Sequence, residues 1–230
     1  MRGMKGKRTS GSTRPDYHHG DLRNALIAEA AKLTKERCQP AFTIRELATR
    51  LRVSHAAAYR HFSNKREILA DVARKGFDML RRKLVEVETK HAGNPRKRLH
   101  EQGLAYVLFA VHNEGFFRAM FHPELNDKSD LPELRDTAWS AFRCLMDTIR
   151  ACQSAGLCRP APAEQIALTA WASVHGVSCL LIDRQLESSS GLPRITAHDA
   201  ASALTEMLDT GFFQPKPQEV SRPSSKGETK

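Results

Sequence analysis

The stretch that decides the fold is Phe42–Leu69, FTIRELATRLRVSHAAAYRHFSNKREIL. Ile44, Leu47, Ala48 and Leu51 recur at i, i+3, i+4 and i+7, which draws one apolar stripe along a helix. Thr43-Ile-Arg-Glu46 reads as a capping box at its start, with the hydroxyl and the carboxylate each taking a free backbone N–H. Ser54 is a good N-cap for a short third helix, and Asn64, with Glu67 three residues on, opens a fourth that reaches about Lys90. Upstream, Asp21 is the expected N-cap of a first helix running to about Thr34, with Leu22, Leu26, Ala30 and Leu33 on its buried face. Two short helices joined by a tight turn, with another helix packed behind, make a helix-turn-helix.

That unit explains the odd mixture in HAAAYRHF. The second helix of a helix-turn-helix enters the DNA major groove, so its first turn must be small or polar. Ser54, His55, Ala56 and Ala57 occupy that turn. Ala58 and Phe62, four apart, face the domain core with Val53, and Tyr59, Arg60 and His61 project sideways towards phosphates. The charge distribution agrees. Lys and Arg number 36 against 26 Asp and Glu. The whole excess lies in residues 1–66, with 15 basic and 5 acidic side chains, while the remainder carries 21 of each. A polyanion would be drawn to one end of the chain only.

The rest reads as helix, at about 96–113, 115–121, 131–155, 162–187 and 197–213, with prolines between the periodic segments. Residues 1–16 and 214–230 lack apolar periodicity and are expected to be a disordered basic arm and a disordered tail. The expected organisation is an all-α chain, with a helix-turn-helix domain over 17–66 and a second helical domain over 67–213. The longest apolar run, Ile166–Ile182, contains His175 and reads as too short and mixed to cross a bilayer, so no membrane partner is expected. The five cysteines are odd in number and form no C-x-x-C, which fits a reducing cytoplasm. No histidine cluster has metal-ligand spacing, and no P-loop, G-x-G-x-x-G, G-x-S-x-G or H-E-x-x-H occurs. Neither a metal, a cofactor nor an enzymatic activity is expected.

Phe42–Leu69, together with the preceding YHHGDLRNALIAEAAKL of Tyr17–Leu33, resembles the DNA-binding domain of the TetR family of bacterial transcriptional regulators. The resemblance implies a homodimer with two DNA-reading heads on a palindromic operator and a C-terminal domain for dimerisation and ligand binding. By position, it implies that Thr43 and Arg45 touch backbone or flanking bases, that Ser54, His55, Ala56 and Ala57 face the groove, and that Tyr59, His61 and Lys65 contact phosphates. One position departs from the family. The turn usually carries glycine where this chain has Arg52, and a left-handed non-glycine residue costs on the order of 1 kcal/mol.

In the second half, Trp171-Ala-Ser-Val-His175-Gly176 resembles the W-x-x-x-H-G motif of one family subgroup. Trp171 and His175 share a helix face and can line a cavity; equally, they can be a core Trp stacked on a hydrogen-bonded His, with Gly176 allowing a close helix contact. Phe116, Phe117 and Phe121, with Trp139, can wall an apolar pocket or simply fill core. The helix over 162–187 is apolar on more than one side, so it needs a core on one side and a symmetry partner on the other. The reading is a sequence-specific cytoplasmic, nucleoid-associated regulator, a repressor released by an unknown small molecule. Two alternatives stay open: a redox-responsive regulator using Cys152 and Cys158, and a non-specific DNA-binding protein.

Overall fold

The computed structural model describes residues 19–158, 160–186 and 195–212. The expected arm over 1–16 and the tail over 214–230 lie outside the described residues. Among those described there are nine α-helices and no strand: α1 (His19–Glu36), α2 (Ile44–Arg50), α3 (His55–Tyr59), α4 (Lys65–Lys90), α5 (Pro95–His112), α6 (Glu114–Met120), α7 (Pro132–Ser154), α8 (Ala163–Ile182) and α9 (Ala197–Phe212). A 3-10 turn, Pro123–Leu125, lies between α6 and α7.

Local chemistry sets these boundaries. Thr43 Oγ1 accepts the Glu46 N–H at 3.1 Å and Ser54 Oγ accepts the Ala57 N–H at 3.1 Å, so both expected caps form. The capping box is only half made, because the Glu46 carboxylate turns to the Arg37 guanidinium instead of to its own helix start. At α4 the exchange is reciprocal: Asn64 Oδ1 accepts from the Glu67 N–H and Glu67 Oε2 from the Ser63 N–H. Pro95 and Pro132 each begin a helix, where a missing N–H does no harm. The first helix starts at His19 and not at Asp21, and α8 stops at Ile182 instead of reaching 187. There the N–H groups of Arg184 and Gln185 fold back on Leu181 and Leu180 and close the helix end.

The helix-turn-helix turn closes in the same way. Arg52 N–H bonds Thr49 O and Val53 N–H bonds Ala48 O, with Arg52 at φ +56°. That is a Schellman ending with arginine in the left-handed position that favours glycine. Ala58 and Phe62 are fully buried, as their spacing predicts, among Leu26, Leu33, Leu47 and Ala48.

The bundle is organised around α4 and α5. The long α4 packs on α1 at one end and on α5, α6 and α7 along its length. Its buried Ile68, Leu69, Val72 and Ala73 belong to one continuous core with both α1 and the C-terminal helices. The expected border at residue 66 therefore falls in the first turn of a helix shared by both domains. α5 is the central strut, packed on α4, α7, α8 and α9.

The head is also held through α6, which lies on α1. A Cβ added at Gly115 would sit 1.9 Å from the Ala31 carbonyl oxygen. The two helices touch backbone to backbone, and only glycine fits.

The helix α8 has 20 residues and a mean hydropathy of 1.5, so by length and composition it is long and apolar enough to cross a membrane; the expectation that it is too short is corrected. Its inner face packs on α5, α7 and α9. Its outer face carries Leu168, Ala172, Gly176 and Leu180 at four-residue spacing, all exposed, beside the 73% exposed Met207 of α9. Gly176, expected to allow a close helix contact, has nothing within 4 Å of its would-be Cβ within the chain.

The α1–α6 contact gives a direct test. Gly115→Ala is expected to destabilise the protein by about 3 kcal/mol, lowering the melting midpoint by roughly 6–12 °C, because the obstacle is backbone and cannot rotate away. Gly93→Ala, which meets nothing within 4 Å, is the calorimetric control and should leave the midpoint nearly unchanged.

Candidate functional site

The reading surface is built by α2, the turn and α3. Thr43, Arg45, Ser54, His55, Ala56, Tyr59 and Arg60 are exposed, and Ala57, His61 and Lys65 are half-buried at its edge. α3 is only five residues long; the chain continues as a turn in which the His61 and Phe62 N–H groups both bond Ala58 O. His55 Nε2 lies 3.4 Å from the Thr49 hydroxyl, which leans the ring back on α2. Arg23 spans the head's rear: it donates to His61 O at 2.8 Å, pairs with Asp71 at 2.7 Å and lies over the Phe62 ring.

The arginines of the head fall into two groups. Arg23, Arg37, Arg50 and Arg66 are each held by carboxylates, respectively Asp71, Glu46, Glu29 with Glu36, and Asp130. Arg45, Arg52 and Arg60 have no ion pair among the described residues, and all three are exposed on the helix-turn-helix. The first group braces the fold, while the second leaves its charge available to an anion. Arg60, expected to project towards phosphates, and Arg52 thus both keep an exposed guanidinium outside the ion pairs that hold the neighbouring arginines.

Lys65 already has a partner within the chain. Its ammonium pairs with Glu124 at 3.0 Å. Next to it, Arg66 forms a two-pronged pair with Asp130 at 2.5 and 2.9 Å and donates to the carbonyls of Asp127 and Glu124. The Arg66 guanidinium holds the Asp130 carboxyl below the ordinary carboxylate value. The first turn of α4 is therefore gripped by the loop between α6 and α7.

That loop also faces a cavity of about 530 Å³ inside the C-terminal bundle. Its walls come from α4 (Phe77, Leu80, Leu84), α5 (Gln102, Tyr106), α6 and the loop (Met120, Phe121, Asn126, Lys128), α7 (Arg135, Trp139, Phe142), α8 (Trp171, Val174) and α9 (Thr205, Leu208). Of the expected pocket residues, Phe121, Trp139 and Trp171 line it. Trp139, 57% exposed, stands at its edge with its ring 5.5 Å from Phe142, which in turn packs on Trp171. Phe117 and His175 line a smaller neighbouring cleft with Phe121, and Phe116 lines neither, packing instead towards Gly76 of α4.

Two family models match the chain. One, bacterial regulatory proteins of the tetR family, covers residues 26–72; the other, the tetracyclin repressor-like C-terminal domain, covers residues 99–210. The chain belongs to the TetR family. It is a DNA-binding transcriptional regulator, and the family is made up of such regulators. Comparison with curated protein sequences returns no match. Among solved structures, a protein of unknown function from Rhodococcus sp. RHA1 has a TM-score of 0.73 at 25% identity, covering 87% of this chain and 100% of its own. The ketosteroid transcriptional regulator KstR2 of Mycobacterium tuberculosis has a TM-score of 0.63 at 18% identity, covering 88% and 100%. AibR, solved with isovaleryl coenzyme A and operator DNA, has a TM-score of 0.62 at 19% identity, covering 80% and 96%.

In this TetR-family chain Trp171, on the cavity wall, and His175, in the neighbouring cleft, are joined through Tyr106. Trp171 Nε1 donates to Tyr106 Oη at 3.3 Å, and Tyr106 Oη lies 2.9 Å from His175 Nδ1. Burial pushes the Tyr106 phenol far above its usual value, so it stays protonated and donates to Nδ1. The imidazole then carries its proton on Nε2, 3.6 Å from Cys179 Sγ, with Phe121 packed edge-on at 4.4 Å. Burial also lowers the His175 pKa, so the ring is neutral at neutral pH and no charge switch operates there. The redox alternative fares no better. Cys152 and Cys158 are buried, and burial raises both thiols, Cys152 to about 12 with Cys158 adding to the rise, whereas a reactive cysteine needs an exposed thiolate.

Two predictions follow from this geometry. Arg52→Gly relieves the left-handed strain and should stabilise the head by up to about 1 kcal/mol, while its log K against log salt slope for DNA becomes shallower by about 0.9, one phosphate contact. For His175, the unfolded imidazole takes a proton near its ordinary pKa of 6.5 and the folded one only at lower pH. Stability should fall as pH drops below 6.5, with His122, also lowered by burial, adding to the slope. Urea midpoints between pH 7.5 and 5.5 measure this, and His175→Gln should flatten the curve.

Proposed function

We propose that the protein is a homodimeric repressor that holds a palindromic operator and is released by a small molecule in the C-terminal cavity. The observation that carries this reading is the α6–α7 loop, which gives Phe121, Asn126 and Lys128 to the cavity wall and Glu124, Asp127 and Asp130 to the grip on α4. A ligand that displaces the loop tilts the first turn of α4, and with it α1 and the helix-turn-helix. Two heads must sit about one helical turn apart, roughly 34–36 Å, to read successive major grooves. A change of a few ångströms breaks simultaneous engagement. AibR, of similar fold, is solved with both a ligand and operator DNA, which supports the reading.

On the DNA side, Arg45, Arg52, Arg60, Tyr59, His61 and the Thr43 hydroxyl contact the backbone, and Ser54, His55, Ala56 and Ala57 face the bases. With few long polar side chains in the first turn, specificity leans on His55, on thymine methyl contacts and on DNA shape. The dimer forms through Leu168, Ala172, Gly176 and Leu180 of α8 with Met207 of α9, which explains both the exposed apolar stripe and the open face of Gly176.

Selection of genomic fragments by the purified protein tests the main reading: enrichment of one palindromic sequence, surviving competition with unrelated DNA, supports it. Uniform recovery of fragments returns the chain to non-specific binding. The grip makes a second, ligand-free prediction. While Glu124 holds Lys65, that ammonium is withheld from phosphate. Glu124→Gln should therefore tighten operator binding at low salt and steepen the salt slope by about 0.9. An unchanged slope would show that Lys65 does not reach the backbone.

A further inference from the structure

Gln102 lies on α5, the strut at the centre of the C-terminal bundle, and lines the cavity wall. It is 3% exposed, and neither its amide Oε1 nor its Nε2 has a hydrogen-bond partner. A primary amide offers two donors and one two-lone-pair acceptor, and buried groups of this kind are normally all satisfied. Two other polar groups on the cavity's helices are already committed. Tyr106 Oη is shared between Trp171 and His175, and the Thr205 hydroxyl donates to Ala201 O. The amide of Gln102 is buried, uncharged and uncommitted at both ends. Of the titratable wall residues, Lys128 belongs to the loop, Arg135 to the first turns of α7, Asp209 to α9, where it pairs with Arg96, and His100 to α5 itself.

We infer that the effector is an apolar, ring-bearing molecule with one neutral group that both donates and accepts, such as a carboxamide or lactam, paired in two directions with the Gln102 amide. The inference rests on the cavity's being the effector site. A neutral group fits because the Gln102 amide is itself uncharged and can meet such a group with a donor and an acceptor at once. A ring-bearing body fits because Phe121, Trp139, Phe142 and Trp171 pack in a row along the wall. A terminal amide torsion is broad and soft, so Gln102 can turn to meet its partner without leaving a rotamer. The amide also sets selectivity: a site that desolvates an unpaired donor and acceptor discriminates strongly against a ligand lacking both.

The test uses three probes on one frame: 4-hexylbenzamide, 4-hexylbenzoate and hexylbenzene. The chain has two tryptophans, and both line the cavity, so their fluorescence reports binding to the full-length protein directly. The amide should bind about tenfold or more tighter than the hydrocarbon and than the carboxylate. Gln102→Leu should bring the amide down to the hydrocarbon's affinity while leaving the hydrocarbon's own binding intact; Gln102→Met serves if the leucine variant folds poorly. Equal binding of amide and hydrocarbon to the unaltered protein overturns the assignment of Gln102 but leaves the cavity as a ligand site. Tightest binding by the carboxylate overturns it in favour of Lys128 and Arg135. Failure of all three to perturb the tryptophans overturns the cavity reading and this inference together.

Discussion

The contact on which the rest depends is the one between Gly115 and the Ala31 carbonyl. A DNA-reading head of three short helices has little area with which to hold a fixed attitude on a larger body. Side chains between α1 and α6 would act as compressible spacers, each with its own rotamers. Removing the side chain at position 115 brings two rigid backbones together, so that a displacement of α6 is a displacement of α1. The second connection, Arg66 and Lys65 to the α6–α7 loop, enters from the other side of the head through α4. Both connections involve α6 or the loop that follows it, a segment that borders the cavity, while α4 itself runs on from the head into the body.

The basic character of the head also needs reading in two layers. Net charge alone marks the end of the chain that meets a polyanion, but it does not say which side chains do so. Arg37 with Glu46 and Arg50 with Glu29 and Glu36 tie α2 to α1 and the segment after it, so these charges hold the reading helix at its angle. The exposed Arg45, Arg52 and Arg60 are what remains. The same sorting explains the half-made capping box: Glu46 serves α1–α2 geometry at the expense of its own helix start.

Most of the fold was legible in the sequence because its determinants are local. Ser54, Thr43, Asn64, Pro95 and Pro132 mark helix starts by their own hydrogen bonding or ring geometry, and Ala58 and Phe62 declare a buried face by spacing. Arg52 was readable too, since glycine's usual place implies a left-handed backbone, and φ is +56°. The site was half legible. Aromatic residues in the second half were visible, but spacing cannot tell a cavity wall from a packed core, so Phe116, Phe117 and His175 were grouped with Phe121, Trp139 and Trp171, although only the last three line the cavity. Gln102 left no signal, because an orphaned amide is defined by what neighbours fail to do. Lys65 was assigned by its place in the motif; its partner, Glu124, lies 59 residues away and no local pattern announces it.

The pairs that fasten α4 to the loop are open to solvent, and this has a consequence for how the protein meets its surroundings. Exposed ion pairs and phosphate contacts weaken under the same screening. A rise in ionic strength therefore loosens the head from DNA and, in the same stroke, from the loop that borders the cavity. On the proposed mechanism, salt becomes a second input, able to blunt operator occupancy and the response to an effector at once.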